Sequence, residues 1–223
     1  MIVTIDGPAG AGKSSVARLL ADRLEYKFLD TGAMYRAVAW AAGQRQLDWN
    51  DAEAIAELAR GLNLDVDGSQ IFVDGQDVSE LIRTPEVTSN THYAANNPAV
   101  REHLVELQRR VGEGQDIVTE GRDQGTVVFP HAGCKFFLTA TPLERARRRL
   151  KDFEARGQTL SLEAVLADQA ERDQRDSERE VGPLIAAVDA IVLVTDDMAT
   201  DEVVDYLEGL VRMRMLTTSQ PPG

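Results

Sequence analysis

The chain has 223 residues, of which 43% are hydrophobic and 27% are charged, a composition typical of a soluble globular protein. Its formal net charge of −13 disfavours a general polynucleotide-binding surface, because such a surface needs a basic footprint. Apolar runs stay short of membrane-spanning length, and the one cysteine, Cys134, cannot form an internal disulfide. These features predict a cytoplasmic protein with no membrane or nucleic-acid partner.

The first predicted element is a buried strand at residues 1–5, an apolar and β-branched run. Residues 7–14, Gly-Pro-Ala-Gly-Ala-Gly-Lys-Ser, match G-x-x-x-x-G-K-[ST], the phosphate-cradling loop of nucleoside-triphosphate enzymes. Residues 16–24 then have helical spacing, so backbone N–H groups can converge on phosphate at a helix N-terminus. In this motif Lys13 reaches the β- and γ-phosphates, and the Ser14 hydroxyl holds Mg²⁺. The chain is therefore predicted to bind a nucleoside triphosphate.

Strand and helix signals alternate along the rest of the chain. The predicted elements before residue 100 are a strand at 27–29, helices at 33–42 and 52–61, a hairpin at 64–73 around Asp67-Gly68, and helices beginning at Thr84 and Asn97. The later ones are strands at 116–119 and 136–138, a helix from Thr141, a helix from Ser161 to about Ser177, a last buried strand at 190–194 and a helix at 201–216.

This alternation predicts an α/β protein, a three-layer α/β/α fold of the P-loop NTPase type with a parallel central sheet. Residues 62–97 break the pattern, which indicates a small lobe inserted into a core formed by residues 1–61 and 98–216. The polar, proline-rich residues 217–223 are predicted to be a disordered tail.

Charged residues follow two of the predicted strands, at the sheet edge where open α/β folds bind ligands. Arg36 follows the strand at 27–29, although such an arginine is also common on a solvated helix face. Glu120 ends a strand where nucleotide enzymes keep an acid for Mg²⁺ or its waters, so it is a second metal candidate through bound water. Arg122 can face a phosphate, and Asp123 can accept a hydrogen bond from a base amino group. The alternative is a surface loop that an Arg–Asp pair holds.

Further arginines are ambiguous by spacing alone. Arg172, Arg175, Asp176 and Arg179 would share one helix face, which fits either a ligand site or a solvent-exposed stripe of ion pairs. Arg101 is open to the same two interpretations. The basic cluster of Arg145, Arg147, Arg148 and Arg149 is suited to closing over a triphosphate and predicts a short lid at about 145–160.

Over residues 1–195 the sequence resembles the bacterial cytidylate kinases of the P-loop nucleoside-monophosphate kinase family. The resemblance is carried by Ile5-Asp6-Gly7-Pro8 leading into the P-loop and by residues 29–36, 82–84, 100–102, 121–130 and 171–176. It implies Mg²⁺-dependent transfer of the ATP γ-phosphate to CMP or dCMP, by an enzyme expected to be a monomer.

The resemblance also implies a role for each matching residue. Catalytic roles fall to Lys13, Arg122 and Arg172. ATP would be bound by Gly7, Pro8, Ala9, Gly10, Ala11, Gly12, Lys13, Ser14, Ser15 and Arg148. The acceptor phosphate would be held by Arg36, Arg101, Arg122 and Arg172, the cytosine by Asp123 and Arg179, and the ribose by Asp176, with Thr31 near the acceptor. One departure is His92, where many relatives place a base-contacting serine.

Three other functions compete with this interpretation. The first is a kinase on the same scaffold that acts on another monophosphate or on a metabolite hydroxyl. The second is a regulatory GTPase, but no guanine-reading Asn-Lys-x-Asp stretch is present in the sequence. The third is an ATP-driven nucleic-acid machine, which the net charge of −13 disfavours.

Overall fold

The structure is a computed structural model that describes residues 1–68, 70–155 and 157–218. Within these residues the strands are β1 (Ile2–Asp6), β2 (Lys27–Asp30), β3 (Leu64–Asp67), β4 (Gln70–Val73), β5 (Gln76–Asp77), β6 (Ile117–Gly121), β7 (Cys134–Thr139) and β8 (Ile191–Val194). The α-helices are α1 (Lys13–Leu24), α2 (Thr31–Gln44), α3 (Ala52–Gly61), α4 (Pro85–Ala95), α5 (Pro98–Gly112), α6 (Pro142–Ala155), α7 (Leu162–Ser177) and α8 (Thr200–Thr218). A 3₁₀ turn at Leu81–Arg83 and a π-helical turn at Gln124–Val128 complete the regular structure of these residues.

The chain divides into two compact units, one formed by Met1–Tyr26 with the chain from Asp116 onward, and the other by Lys27–Gln115. The second unit is larger than the insertion at 62–97 that the sequence suggested. The reason is a shared hydrophobic core, in which Ile55 of α3 and Leu104 of α5 are buried together with Ile71 of the hairpin.

The sheet of the first unit contains four parallel strands in the order β6-β1-β7-β8. Its centre is apolar, since Ile5 is fully buried with Phe136 opposite it on β7. Helix α8 packs on α1, which packs on β6, while α6 packs on α7. The predicted parallel sheet flanked by helices is confirmed.

Strand β8 is not the buried strand that its apolar sequence suggested. The exposed fractions of Ile191, Val192 and Val194 are 41%, 55% and 58%. Because β8 ends the strand order and pairs only with β7, it lacks the second neighbour that covers a central strand.

In the second unit, β3 and β4 form the predicted antiparallel hairpin, and β5 adds a third strand. The helix starts at residues 84–85 and 97–98 are confirmed by their caps. The Thr84 hydroxyl accepts a hydrogen bond from the Val87 amide, and the Asn97 side chain accepts from the Ala99 amide.

Helix α8 runs to Thr218 and so passes the predicted end at Leu216. The expectation of a disordered tail from residue 217 is therefore wrong for its first two residues, which continue the helix, and residues 219–223 lie outside the described residues. Across the described part of the chain, no helix combines the length and the apolar character that crossing a membrane requires.

Candidate active site

The loop at residues 7–14 has a backbone that only glycine adopts easily. Gly7, Gly10 and Gly12 have φ angles of +145°, +78° and +84°. A Cβ on Gly7 would also collide with the Leu138 carbonyl oxygen. Helix α1 begins at Lys13 directly after the loop, so the loop leads into a helix N-terminus with its partial positive charge.

Lys13 lies buried in this loop, where its Nζ donates a hydrogen bond to the Pro8 carbonyl at 2.9 Å. Burial, followed by the charges of Arg122 and Arg172, lowers the pKa of Lys13 to about 7, although the acids Glu120 and Asp6 raise it. Three cationic side chains therefore act on one another here. Such a cluster is stabilised when an anion binds to it.

Ser14 and Glu120 place two oxygen atoms side by side. The Ser14 hydroxyl donates to the Glu120 carboxylate at 2.7 Å, which joins the start of α1 to the carboxyl end of β6. Mg²⁺ takes oxygen ligands and keeps several waters, so this pair fits it. The described residues contain no group of three or more side chains suited to hold a metal ion.

The predicted face of α7 is divided between the site and solvent. Asp176 accepts from Arg122 Nε at 2.8 Å and from Arg179 Nη2 at 2.6 Å. Burial alone would raise the pKa of Asp176, but Arg122 and Arg179 outweigh it and hold the pKa below its usual value. Arg172 contributes to this field, whereas Arg175 faces solvent and pairs with Glu171.

Asp123 is buried, with 3% of its surface exposed. Its carbonyl accepts hydrogen bonds from the amides of Val127 and Val128, which belong to the π-helical turn. The interpretation of this segment as a surface loop is therefore wrong. Arg122 pairs with Asp176, so a buried carboxylate and an anchored guanidinium follow the carboxyl end of β6.

The other predicted acceptor residues, Thr31, Arg36 and Arg101, lie in the second unit. Asp30 caps α2, of which Thr31 is the first residue, and it accepts from Arg36 Nη2 at 2.9 Å, so Arg36 is not simply a solvated helix residue. A Cβ on Gly32 would lie 3.0 Å from Arg36 Nη1, so glycine leaves room for this guanidinium. Arg101 is only 1% exposed and donates to the Ala95 carbonyl at 3.3 Å.

The arginines at residues 145–149, predicted to close over a triphosphate, are mostly engaged in hydrogen bonds within the protein. Arg145 is buried, Arg148 donates to Glu144 and to Thr195, and Arg149 donates to Asp168. Of the four arginines in this described segment, Arg147 alone is exposed to solvent. Arg148 nevertheless lies next to the P-loop, since a Cβ on Gly12 would be 3.8 Å from its Nη1.

Arg145 connects three segments. It donates to the Ala140 carbonyl at 3.1 Å and to the Ala9 carbonyl at 3.0 Å, and it pairs with Asp173 of α7 at 2.7 Å. It thus holds the P-loop against the helix that carries Arg172.

Arg145→Met should therefore lower the free energy of unfolding by about 2–3 kcal/mol, because it leaves buried acceptors without a donor. Chemical denaturation would measure the loss. Arg147→Met, which changes an exposed arginine of the same helix, should leave stability unchanged. Equal stabilities of the two variants would contradict this role of Arg145.

His92 lies on α4, where its Nδ1 is 2.7 Å from the Ser89 carbonyl and its ring lies against Tyr93. These contacts hold the imidazole within its own unit.

Two residues that support the site were not assigned a role from the sequence. Asp6 accepts two backbone hydrogen bonds from the π-helical turn, and Asp30 anchors Arg36. Each is an acid at the carboxyl end of a strand, and that position was the available signal.

A phosphate loop, a parallel sheet flanked by helices and an inward-facing set of arginines define a P-loop kinase. Structures with the same fold include an uncharacterized protein from Eubacterium ventriosum (TM-score 0.53, 11% identity, 95% of this chain and 98% of the other). Shikimate kinase from Bacteroides thetaiotaomicron is similar at a TM-score of 0.50, with 14% identity over 95% of this chain and 98% of the other.

The family model for cytidylate kinase matches residues 3–213. A cytidylate kinase from Rhodopirellula baltica is 54% identical over 95% of this chain and 93% of its own length. A bifunctional pantoate ligase/cytidylate kinase from Synechococcus sp. strain WH7803 is 51% identical over 96% of this chain, which spans 45% of that longer protein. The chain belongs to the cytidylate kinase family and is a nucleoside-monophosphate kinase.

Proposed function

We propose that this protein transfers the γ-phosphate of ATP to CMP or dCMP, giving ADP and CDP or dCDP, through the residues described above. An oxygen of the acceptor phosphate bonds to the γ-phosphorus while the bond from that phosphorus to the ADP oxygen breaks. The observation that carries the proposal is the P-loop with its buried Lys13, on whose amino group the charges of Arg122 and Arg172 act.

The acceptor needs no general base. The second pKa of a phosphate monoester is near 6, so at neutral pH the acceptor is mostly a dianion. The obstacle is repulsion between two anions as they approach. Lys13, Arg122 and Arg172 offset this repulsion and the charge of the transferring group, which makes catalysis a matter of positioning and electrostatics.

The P-loop, residues 7–14, together with Ser15 and Arg148, is proposed to bind ATP. The positive φ angles of its glycines allow the backbone amides to point toward a phosphate, and Arg148 lies next to Gly12. Ser14, together with Glu120 directly or through water, would hold Mg²⁺, since their oxygens already lie 2.7 Å apart. When bound there, Mg²⁺ neutralises charge on the β- and γ-phosphates.

We propose that CMP binds to the residues that the resemblance assigns to it. The acceptor phosphate would bind to Arg36, Arg101, Arg122 and Arg172. The ribose would contact Asp176, the base would contact Asp123 and Arg179, and Thr31 would lie near the acceptor. Support comes from burial and anchoring, because Arg36, Arg122 and Arg179 are each fixed by a carboxylate.

Asp123 is proposed to accept a hydrogen bond from the N4 amino group of cytosine. Uracil carries a carbonyl at that position, which would face the carboxylate unfavourably. Asp123→Asn should therefore reduce the preference for CMP over UMP by about tenfold, because an amide can also donate to uracil. Steady-state kcat/KM for both acceptors would measure this change. An unaltered preference would exclude Asp123 as the residue that reads the base.

The function is tested by ADP release in the presence of ATP, Mg²⁺ and one acceptor at a time. CMP and dCMP should stimulate release, whereas UMP, AMP, GMP and shikimate should do so weakly or not at all. Shikimate represents kinases of the same fold that phosphorylate a hydroxyl. Stronger stimulation by any of these other acceptors would replace the proposal. A monomeric state, the lack of a nucleic-acid partner and a cytoplasmic location stay predictions.

A further inference from the structure

Strand β1 has one apolar and one polar face in the first unit. Val3 and Ile5 occupy the apolar face, while Thr4 and Asp6 alternate with them and are equally buried, at 0% and 3% exposure. In the sheet register Thr4 lies opposite Thr119 of β6 and opposite Lys135 of β7, so polar side chains from three strands are neighbours. A buried polar face needs polar partners.

The segment after β6 supplies those partners. The carboxylate of Asp6 accepts hydrogen bonds from the amides of Gln124 and Gly125, both at 2.8 Å. The Thr119 hydroxyl donates to the Gln124 side-chain oxygen at 2.9 Å. Lys135 donates to the Pro130 carbonyl at 2.6 Å, which holds the end of the same segment.

Gly125 shows how closely this segment approaches the sheet. A Cβ at this position would lie 3.0 Å from the Thr4 hydroxyl and 3.4 Å from a carboxylate oxygen of Asp6. The segment is therefore anchored by directional hydrogen bonds to the sheet.

Gln124 begins the π-helical turn directly after Arg122 and Asp123. The amides of Gln124 and Gly125 both donate to the Asp6 carboxylate. Asp6 also belongs to the strand that enters the P-loop. One carboxylate thus ties the strand of the triphosphate loop to the segment that carries the proposed acceptor residues.

Keeping the Asp6 carboxylate ionised costs free energy, because burial removes the water that would solvate its charge. Burial, together with the charge of Asp123, raises the pKa of Asp6 to about 6, although the two amide hydrogen bonds and the charge of Lys13 lower it. A buried ionised group is stable only when its hydrogen bonds are directed well. Both carboxylate oxygens are used in this way.

We propose that Asp6 is a positioning residue, which sets Arg122 and Asp123 for the acceptor nucleotide by holding the amides of Gln124 and Gly125. This inference rests on the proposed function, because it assigns the consequence to acceptor binding. Since the hydrogen bonds of the carboxylate go to the π-helical turn, its loss should weaken recognition of CMP while ATP binding persists.

The test is Asp6→Asn, a variant of the same size that can accept one amide hydrogen bond but not two. KM for CMP should rise about tenfold, the cost of one charge-assisted hydrogen bond, and the preference for CMP over UMP should fall with it. KM for ATP should stay near that of the wild type. Exchange of the Gln124 and Gly125 amide hydrogens should accelerate, which reports the anchor directly.

Two further variants separate positioning from general stability. Thr119→Val removes only the bond to the Gln124 side chain and should shift KM for CMP in the same direction by less. Arg23→Gln removes an ion-pair cluster with Asp201, Asp205 and Glu208. It should change neither KM, whatever it does to thermal stability.

The outcomes distinguish a failure of the proposed function from a failure of the positioning role of Asp6. A wild-type protein that does not phosphorylate CMP would remove the proposed function itself. With an active wild type, equal increases of both KM values in Asp6→Asn, or no change in KM for CMP, would overturn the positioning role alone. If Asp6→Asn does not fold, the KM values of Thr119→Val decide: a selective rise for CMP supports the role, and its absence overturns it.

Discussion

Lys13→Met is expected to lower kcat on the order of a thousandfold, the scale reported for removing one preorganised group that stabilises transition-state charge. Lys13 Nζ already lies within the P-loop, 2.9 Å from the Pro8 carbonyl, so the amino group is in position before substrate binds. The fold should remain intact, because burial penalises this ammonium group rather than stabilising it.

Turnover by coupled ADP release and a thermal melt of the same sample would measure the two effects. Lys27→Met provides a matched control, since Lys27 is exposed at the start of β2. The control should keep full activity. A Lys13→Met enzyme with substantial turnover would show that the loop does not hold the transferring phosphate as proposed.

Arg122→Met is expected to lower kcat/KM for CMP by about a hundredfold to a thousandfold. The variant removes a cation that acts on Lys13 and leaves Asp176 with one arginine partner in place of two. The pKa of Asp176 should rise as a result, because Arg122 is the largest of the charges that lower it.

Arg175→Met is the matched control, because Arg175 belongs to the same arginine-rich helix but pairs with Glu171 in solvent. Exposed pairs of this kind contribute little, so the control should behave as the wild type does. Steady-state kinetics with CMP varied at saturating ATP would measure both variants. Similar losses in the two would contradict the division of this helix into a site face and a solvent face.

Local sequence signals predicted much of the fold because helix caps and turns depend on residues close together in the chain. Thr84 and Asn97 precede prolines at the first helical position, and both cap helices in the structure. Residues 7–14 identified the phosphate loop because the positive φ angles of its three glycines are a property of the segment itself.

Exposure and side-chain contacts that depend on residues distant in the chain could not be predicted from the sequence. The apolar run at 191–194 looks the same for a central and an edge strand, and only the sheet order decides its exposure. Arg145 and Arg148 stand in one basic run, yet only the folded chain shows that Arg145 binds the Ala9 carbonyl and is unavailable as an open charge.

The proposed acceptor residues come from the family resemblance of the sequence, and the structure shows the contacts that support the proposal. The net charge of the protein is −13. Arg122 and Arg179 nevertheless both donate hydrogen bonds to one carboxylate, that of Asp176. Anchored and largely shielded from solvent in this way, Arg122 and Arg179 are proposed to act on a bound nucleotide with little solvent screening.

The most direct test of the proposed acceptor site is a crystal structure of the protein with CMP bound. The phosphate of CMP should contact Arg122 and Arg172, and the N4 amino group should lie within hydrogen-bonding distance of the Asp123 carboxylate. A pyrimidine ring bound away from Asp123 and Arg179, with its phosphate away from the arginines, would contradict the proposed acceptor site.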